Sequence, residues 1–154
     1  MGGLGTLLYE QGKLSEAEPL LREALEARRT ILGIQHPDTM TSLGSLAGML
    51  KARGKLGEAE PLYRDVLASR RTTLGSQHPS TFNSMWNLGR LLEDQGKLRE
   101  AEALFSEALT GRCRVLGRAH PNTQDACTVL VRVLAAQGKA RDAEDVKAQY
   151  GDGK

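Results

Sequence analysis

Little in this chain serves for cross-linking, for crossing a membrane or for gripping nucleic acid. Its 154 residues include two cysteines, Cys113 and Cys127. These are too few for a dense disulfide framework, and an intracellular setting is the default for such a chain. No apolar run approaches the length of about 20 residues that a membrane-spanning helix needs. The opening Met1-Gly2-Gly3-Leu4-Gly5-Thr6-Leu7-Leu8 has no basic region and runs straight into Tyr9-Glu10-Gln11. A signal peptide is therefore not expected, and the expected location is cytoplasmic. Lys and Arg number 21 against 19 Asp and Glu, a formal balance of +2, which speaks against a dedicated nucleic-acid surface. The residues for chemistry are missing as well: no nucleophile is paired with a base, there is no phosphate-binding loop, and no metal ligands cluster. No catalysis, no cofactor and no bound metal are expected. What remains is a folded composition, 40% apolar and 26% charged, with 17 glycines that need a reason.

The reason is repetition. Leu32-Gly33-Ile34-Gln35-His36-Pro37 returns as Leu74-Gly75-Ser76-Gln77-His78-Pro79 and as Leu116-Gly117-Arg118-Ala119-His120-Pro121, with the prolines 42 residues apart. A fixed period of that size marks stacked repeats. Each mark reads as a helix end, a turn and a helix start, because glycine can take the left-handed conformation that closes a helix and proline fits a first helical turn. A second mark, Gly12-Lys13-Leu14, Gly54-Lys55-Leu56, Gly96-Lys97-Leu98 and Gly138-Lys139-Ala140, divides each unit. The pattern predicts an all-α chain of antiparallel helix pairs, A then B, with repeats at 1–35 (partial), 36–77, 78–119 and 120–154 (degraded). Helix A of the first full unit is expected at 37–52, B helices at 14–32 and 56–74, and a short capping helix at 141–150.

Small residues recur at Ala17, Ala59 and Ala101, and bulky ones at Leu21, Tyr63 and Phe105, an alternation that lets a ridge enter a groove. Leu32, Leu74 and Leu116 are expected on the same buried side. In the last unit Lys147 replaces the bulky residue, as a solvated terminal repeat requires. A glycine inside a helix costs roughly 1 kcal/mol relative to Ala, and a close helix crossing would account for Gly5 and Gly89. Glu16, Glu58 and Glu100 read as first-turn charges, and Arg28, Arg70 and Arg112 as last-turn charges. His36, His78 and His120 read as residues that start helix A, too far apart to share a metal. Cys113 and Cys127 can approach across a repeat junction, and the reading preferred for them is free thiols.

The string His-Pro-x-Thr, Leu46-Ala47, Leu50, Gly54-Lys55-Leu56-x-Glu58-Ala59-Glu60-Pro61-Leu62-Tyr63 and Leu74-Gly75 resembles the 42-residue tetratricopeptide repeats (TPRs) of the kinesin light chain type. The resemblance covers essentially the whole chain. It implies a TPR-like, right-handed superhelical solenoid of stacked antiparallel helix pairs, with a concave wall lined by the A helices that holds an extended peptide or a partner helix. It also implies an Asn-Asn pair ahead of the Leu-Ala of helix A that grips peptide backbone. The matching pairs here are Gly2-Gly3, Gly44-Ser45, Trp86-Asn87 and Thr128-Val129, so that only Asn87 is retained.

Candidate groove residues are therefore Ser45 and Lys51, Asn83, Trp86, Asn87 and Arg90, and Thr128 and Arg132. Trp86 stands where the other copies have Gly2, Gly44 and Thr128, which suits either a binding hot spot or a plug filling space left by glycines. Asn87 offers donor and acceptor at once. Lys51, Arg90 and Arg132 suit a partner with acidic side chains or a free carboxylate, or else they are solvated charges balanced by Glu93 and Asp94. The expected function is a non-catalytic protein- or peptide-binding scaffold. The alternative is a structural or self-associating segment of a longer solenoid, a homo-oligomer formed through the partial 1–35 repeat. Membranes and nucleic acid are not the expected partners.

Overall fold

The computed structural model describes residues 7–8 and 11–151. The readings that rest on Gly2, Gly3, Leu4, Gly5, Tyr9 and the tail 152–154 lie outside these residues. Seven helices with both ends among the described residues follow one another: α1 (Leu14–Leu32), α2 (Pro37–Ala52), α3 (Leu56–Leu74), α4 (Pro79–Asp94), α5 (Leu98–Leu116), α6 (Pro121–Ala136) and α7 (Ala140–Tyr150). No strand occurs among the described residues. The fold class is all-α, of the helix-pair kind the period predicts, and the helix bounds fall on or within one residue of those expected. The chain forms two compact units, Met1–Thr73 and Leu74–Lys154, described in turn below.

The two glycine marks do different work. Gly54, Gly96 and Gly138 have φ of 74°, 74° and 75° and sit in a three-residue turn with a reciprocal bond pair. Around Gly54, its N–H donates to the Lys51 carbonyl and the Lys55 N–H to the Leu50 carbonyl, both at 2.9 Å. That pairing satisfies carbonyls the helix end leaves bare. Gly33 and Gly117 differ from expectation: their φ of 88° and 90° is positive, but ψ is 162°. This is an extended backbone reached almost only by glycine, and it swings the chain away from the helix axis instead of curling it closed. His36, His78 and His120 then cap α2, α4 and α6, each Nδ1 accepting from the backbone N–H two residues on at 3.1 Å. The threonine of His-Pro-x-Thr has its own part. Thr81 and Thr123 are fully buried and donate to the carbonyls of Gly75 and Gly117 at 2.8 and 2.9 Å, tying the helix start to the turn before it.

In the first unit α1 packs on α2, with Leu21, Ala24, Leu25, Leu43, Leu46 and Leu50 buried. The turn after α2 is held from α1: the Glu18 carboxylate accepts from Lys55 Nζ at 3.2 Å, from Arg53, and from Arg22 at 2.9 Å. The Arg22 hydrogen bond, outweighing burial and helped by Lys55 and Arg53, holds the Glu18 carboxyl below the usual range. The second unit repeats the device. Glu102 accepts from Lys139 Nζ at 2.6 Å and from Gln137 Nε2 at 2.7 Å. Burial pushes that carboxyl up, but the bonds from Lys139 and Gln137 outweigh it and leave it below its ordinary value. Glu16 and Glu100 do lie in first helical turns, but the carboxylates that clamp the next repeat are two residues further on.

In the second unit α4 packs on α5, α5 on α6 and α6 on α7. Phe82, Met85, Leu88, Leu92, Phe105 and Leu109 are at most 2% exposed. Gly89 does mark a close crossing, since a Cβ there would lie 2.7 Å from the Phe105 ring, and a Cβ at Gly111 would overlap the Phe82 ring. Gly44 and Gly57 face open space instead. The ends of the B helices depart from expectation: Leu32, Leu74 and Leu116 are 41%, 45% and 36% exposed. They stand one step from the extended glycine, where the chain turns away before the next helix can cover them. The last helix, α7, buries only Ala143 and carries Lys147 in an exposed ion pair with Glu144. Cys127 is buried, Cys113 partly exposed, and both are free thiols.

Candidate functional site

On α4 the positions 82, 85, 88 and 92 turn inward, which leaves 83, 86, 87 and 90 on the opposite side, spaced as neighbours on one helical face. Asn83 and Asn87 are exposed, and Trp86 and Arg90 are partly buried. The chain's single tryptophan is held on two sides. Its ring meets Phe105 edge to face, with centroids 5.4 Å apart and planes at 69°. The Arg112 guanidinium carbon stands 5.2 Å from the ring centroid. The ring is part-exposed, and neither the indole N–H nor the Asn87 amide has a hydrogen-bond partner among the described residues.

Arg112 comes from the end of α5 and is only 6% exposed. Its Nη1 donates to the Asn122 carbonyl at 3.1 Å and its Nη2 to Asn83 Oδ1 at 3.3 Å. Burial pulls the guanidinium below its ordinary range, opposed by the charge of Asp125. In sequence Arg112 belongs to a repeated set with Arg28 and Arg70 and reads as a last-turn helix charge. The structure makes it a link from helix B to two A helices. The one sequence signal is Ala126, which stands where the first full repeat has Ser42; in the structure Arg28 donates to the Ser42 hydroxyl and the Asp38 carbonyl, and Ala126 has no side-chain acceptor to offer Arg112.

The remaining candidates fall into separate places. Arg132 donates to Glu93 at 2.8 Å, and Arg90 Nε lies 3.8 Å from the same carboxylate, so two of the candidate cations share a neighbouring acid. Thr128 is exposed and donates back to the Gln124 carbonyl at 3.0 Å. Ser45 and Lys51 are partly buried on α2 of the first unit. Two open cavities lie away from Trp86. One of about 560 Å³ includes Gln77, Glu107, Gly111 and Arg114 in its wall, and one of about 370 Å³ has Gln35, Asp65, Ser69 and Thr72 at the matching positions of the first unit. Among the described residues no group of three or more His, Cys, Asp or Glu is placed to hold a metal ion, and no helix is long and apolar enough to cross a membrane.

Comparison with known proteins agrees with the helix-pair fold. A family model described as tetratricopeptide repeat matches residues 1–72 and 45–114. A search of curated proteins finds no match. Among solved structures, the chain is similar to a kinesin light chain-type protein of Podosopora anserina with nearly identical TPR-like repeats. The identity is 28% and the TM-score 0.88, over 97% of this chain and 71% of that one. A variant of the same protein matches at 28% identity and a TM-score of 0.87, over 97% and 70%. BtubC (BKLC) from P. vanneervenii matches at a TM-score of 0.86 over 96% of this chain and 59% of its own. At 22% identity that likeness is one of fold alone.

Proposed function

This chain belongs to the tetratricopeptide repeat family, and from that premise we propose that it is a non-catalytic module that holds a peptide or protein segment against the exposed face of α4. The observation that carries the reading is Trp86: a part-exposed ring set edge to face with Phe105 and stacked against Arg112, with its N–H unpartnered among the described residues. A rigid, part-exposed aromatic is the usual anchor of an interface, because it buries much area while losing little freedom. Asn87 beside it adds an amide that can hold a main-chain carbonyl and N–H together. Arg90 and Arg132 favour a partner with acidic side chains or a free carboxylate, which would compete for them with Glu93. The kinesin light chain-like resemblance supports an extended peptide as the ligand form, and a cytoplasmic setting goes with it.

The test is an array of extended peptides probed with the parent, Trp86→Ala and Asn87→Ala. Peptides retained by the parent should be lost by both variants. Equal retention by all three would remove this face from consideration. A second reading, self-association, draws on Ile31, Leu32 and Ile34 of the first unit, which are 78%, 41% and 46% exposed. Its mark would be a sedimentation coefficient that rises with concentration and falls back when Ile31 is replaced by Ser.

A further inference from the structure

We infer that Arg112 is a positioning residue of this surface, one that faces the α4 side chains toward a ligand as hydrogen-bond donors although it is itself almost wholly buried. The inference rests on the binding reading above and specifies its chemistry. Arginine carries only donors, so the atom of Asn83 that faces Arg112 Nη2 at 3.3 Å has to be the amide oxygen. The Asn83 NH2 group is thereby turned outward. One turn along, the same guanidinium lies over the Trp86 ring at 5.2 Å and Phe105 closes on it edge to face, so the ring is clamped with its N–H unpartnered among the described residues. Arg90 adds further donors on the next turn. The outward groups of Asn83, Trp86 and Arg90 are therefore donors, and what they read is an acceptor oxygen, supplied by a side-chain carboxylate or by a main-chain carbonyl of the ligand.

Among the described residues nothing else repeats this assembly. One period earlier the positions matching Asn83 and Trp86 are Thr41 and Gly44, which have neither an amide to orient nor a ring to clamp. Arg112 is free to take the role because Ala126 offers it no hydroxyl, while its other arm keeps the Asn122 carbonyl at 3.1 Å, the contact that matches Arg28 with the Asp38 carbonyl. The acids near it are placed differently. Glu93 is engaged by Arg132 at 2.8 Å, while Asp125 is exposed and offsets part of the Arg112 charge. Donor geometry, more than net charge, is thus what the surface offers.

Because Trp86 is the only tryptophan, its fluorescence reports this spot alone. Emission and acrylamide quenching are measured for the parent, Arg112→Met, Arg112→Lys and Asn83→Asp, with circular dichroism checking that each is folded. Loss of the clamp in Arg112→Met should red-shift the emission and raise the quenching constant, and Arg112→Lys should recover part of both. Asn83→Asp keeps an acceptor toward Arg112, so its emission should stay as in the parent. Lacking the outward NH2, it should bind about tenfold more weakly, roughly 1.4 kcal/mol, in titrations with decapeptides carrying a central Glu and their Gln and Ala counterparts. Weakening confined to the Glu peptides, and persisting at an ionic strength that screens the introduced carboxylate, identifies a carboxylate as the acceptor read by Asn83, and weakening of all three identifies the main-chain carbonyl. Parent-like emission and quenching in a folded Arg112→Met would overturn the positioning role, as would parent-like peptide affinity in Asn83→Asp. Failure of the parent to bind any peptide would overturn the binding reading itself, and the quenching series would still judge the clamp separately.

Discussion

Replacing Trp86 by Ala separates the two roles a unique aromatic can have, because the structure sets a magnitude for each. A fully buried Trp truncated to Ala costs about 3–5 kcal/mol, most of it lost burial and the cavity left behind. Trp86 is only partly buried, so less than that is at stake. Its edge contact with Phe105 is worth about 0.5–1.5 kcal/mol, and the stack on Arg112, whose guanidinium is desolvated, about 1–2 kcal/mol. Together the two contacts come to about 1.5–3.5 kcal/mol, which for a chain of this length lowers Tm by about 3–14 °C. The same truncation should weaken a partner by about 2 kcal/mol or more, near thirtyfold, if the open part of the ring is an anchor. Thermal unfolding followed by far-ultraviolet circular dichroism gives the first quantity, and calorimetric titration below the variant's melting range gives the second. A folded variant with unchanged affinity refutes the anchor. A loss of stability near the fully buried figure, with binding lost only as the protein unfolds, makes the ring a plug. Arg90→Ala is the control, since it should move affinity for acidic ligands in a salt-dependent way and leave Tm nearly unchanged.

The other expectations concern the frame that carries this face. Gly89→Ala should destabilise by about 1–3 kcal/mol despite the better helix propensity of Ala, because the new methyl overlaps the fully buried Phe105 ring, whereas Gly57→Ala should stabilise by about 0.5–1 kcal/mol; urea unfolding of the pair tests both signs. Glu18 and Glu102 have folded pKa values below the ordinary value of a glutamate carboxyl, so the stability they contribute is fully present above that ordinary value and is lost as pH falls through the lowered folded values. Urea midpoints measured across the acid range should therefore drop less steeply for Glu18→Gln and Glu102→Gln than for the parent, and identical acid limbs would refute the turn clamp. His120→Ala should cost about 0.5–2 kcal/mol by leaving the Asn122 N–H without its cap, which a chemical unfolding curve resolves.

The frame was legible because each of its parts answers a local demand that recurs. A glycine at 54, 96 or 138 is needed for a positive φ, a histidine at 36, 78 or 120 for a bare N–H, and a proline after it where no N–H is required. The period displays these demands several times, and helix bounds follow from them. The burial of Leu32, Leu74 and Leu116 was misjudged for a related reason: periodicity says which side a residue faces, and it cannot say that an extended glycine carries the covering chain away. Arg112 was harder to single out for a different reason. Its spacing is that of Arg28 and Arg70, and its partners are fixed by what neighbouring units lack, a hydroxyl at Ala126, and by what one unit adds, the amide of Asn83 and the ring of Trp86.

That contrast bears on where recognition can reside in a repeated chain. At 17, 59 and 101 the residue is always Ala, fully buried each time, and a larger side chain would force packed helices apart. At 86 the copies differ, Gly44, Trp86 and Thr128, because no packing requirement is common to them. A ring introduced at such a position still has to be held if it is to bind with little loss of entropy, and the means of holding it come from the frame: Phe105 from the repeated bulky site, Arg112 from the repeated helix end. The frame residues thus have two uses in the second unit and one elsewhere. A double-mutant cycle between Trp86→Ala and Arg112→Met measures the overlap directly. Coupling of about 1 kcal/mol or more is expected for residues in contact, and additive costs would mean that the ring and the guanidinium merely lie near one another.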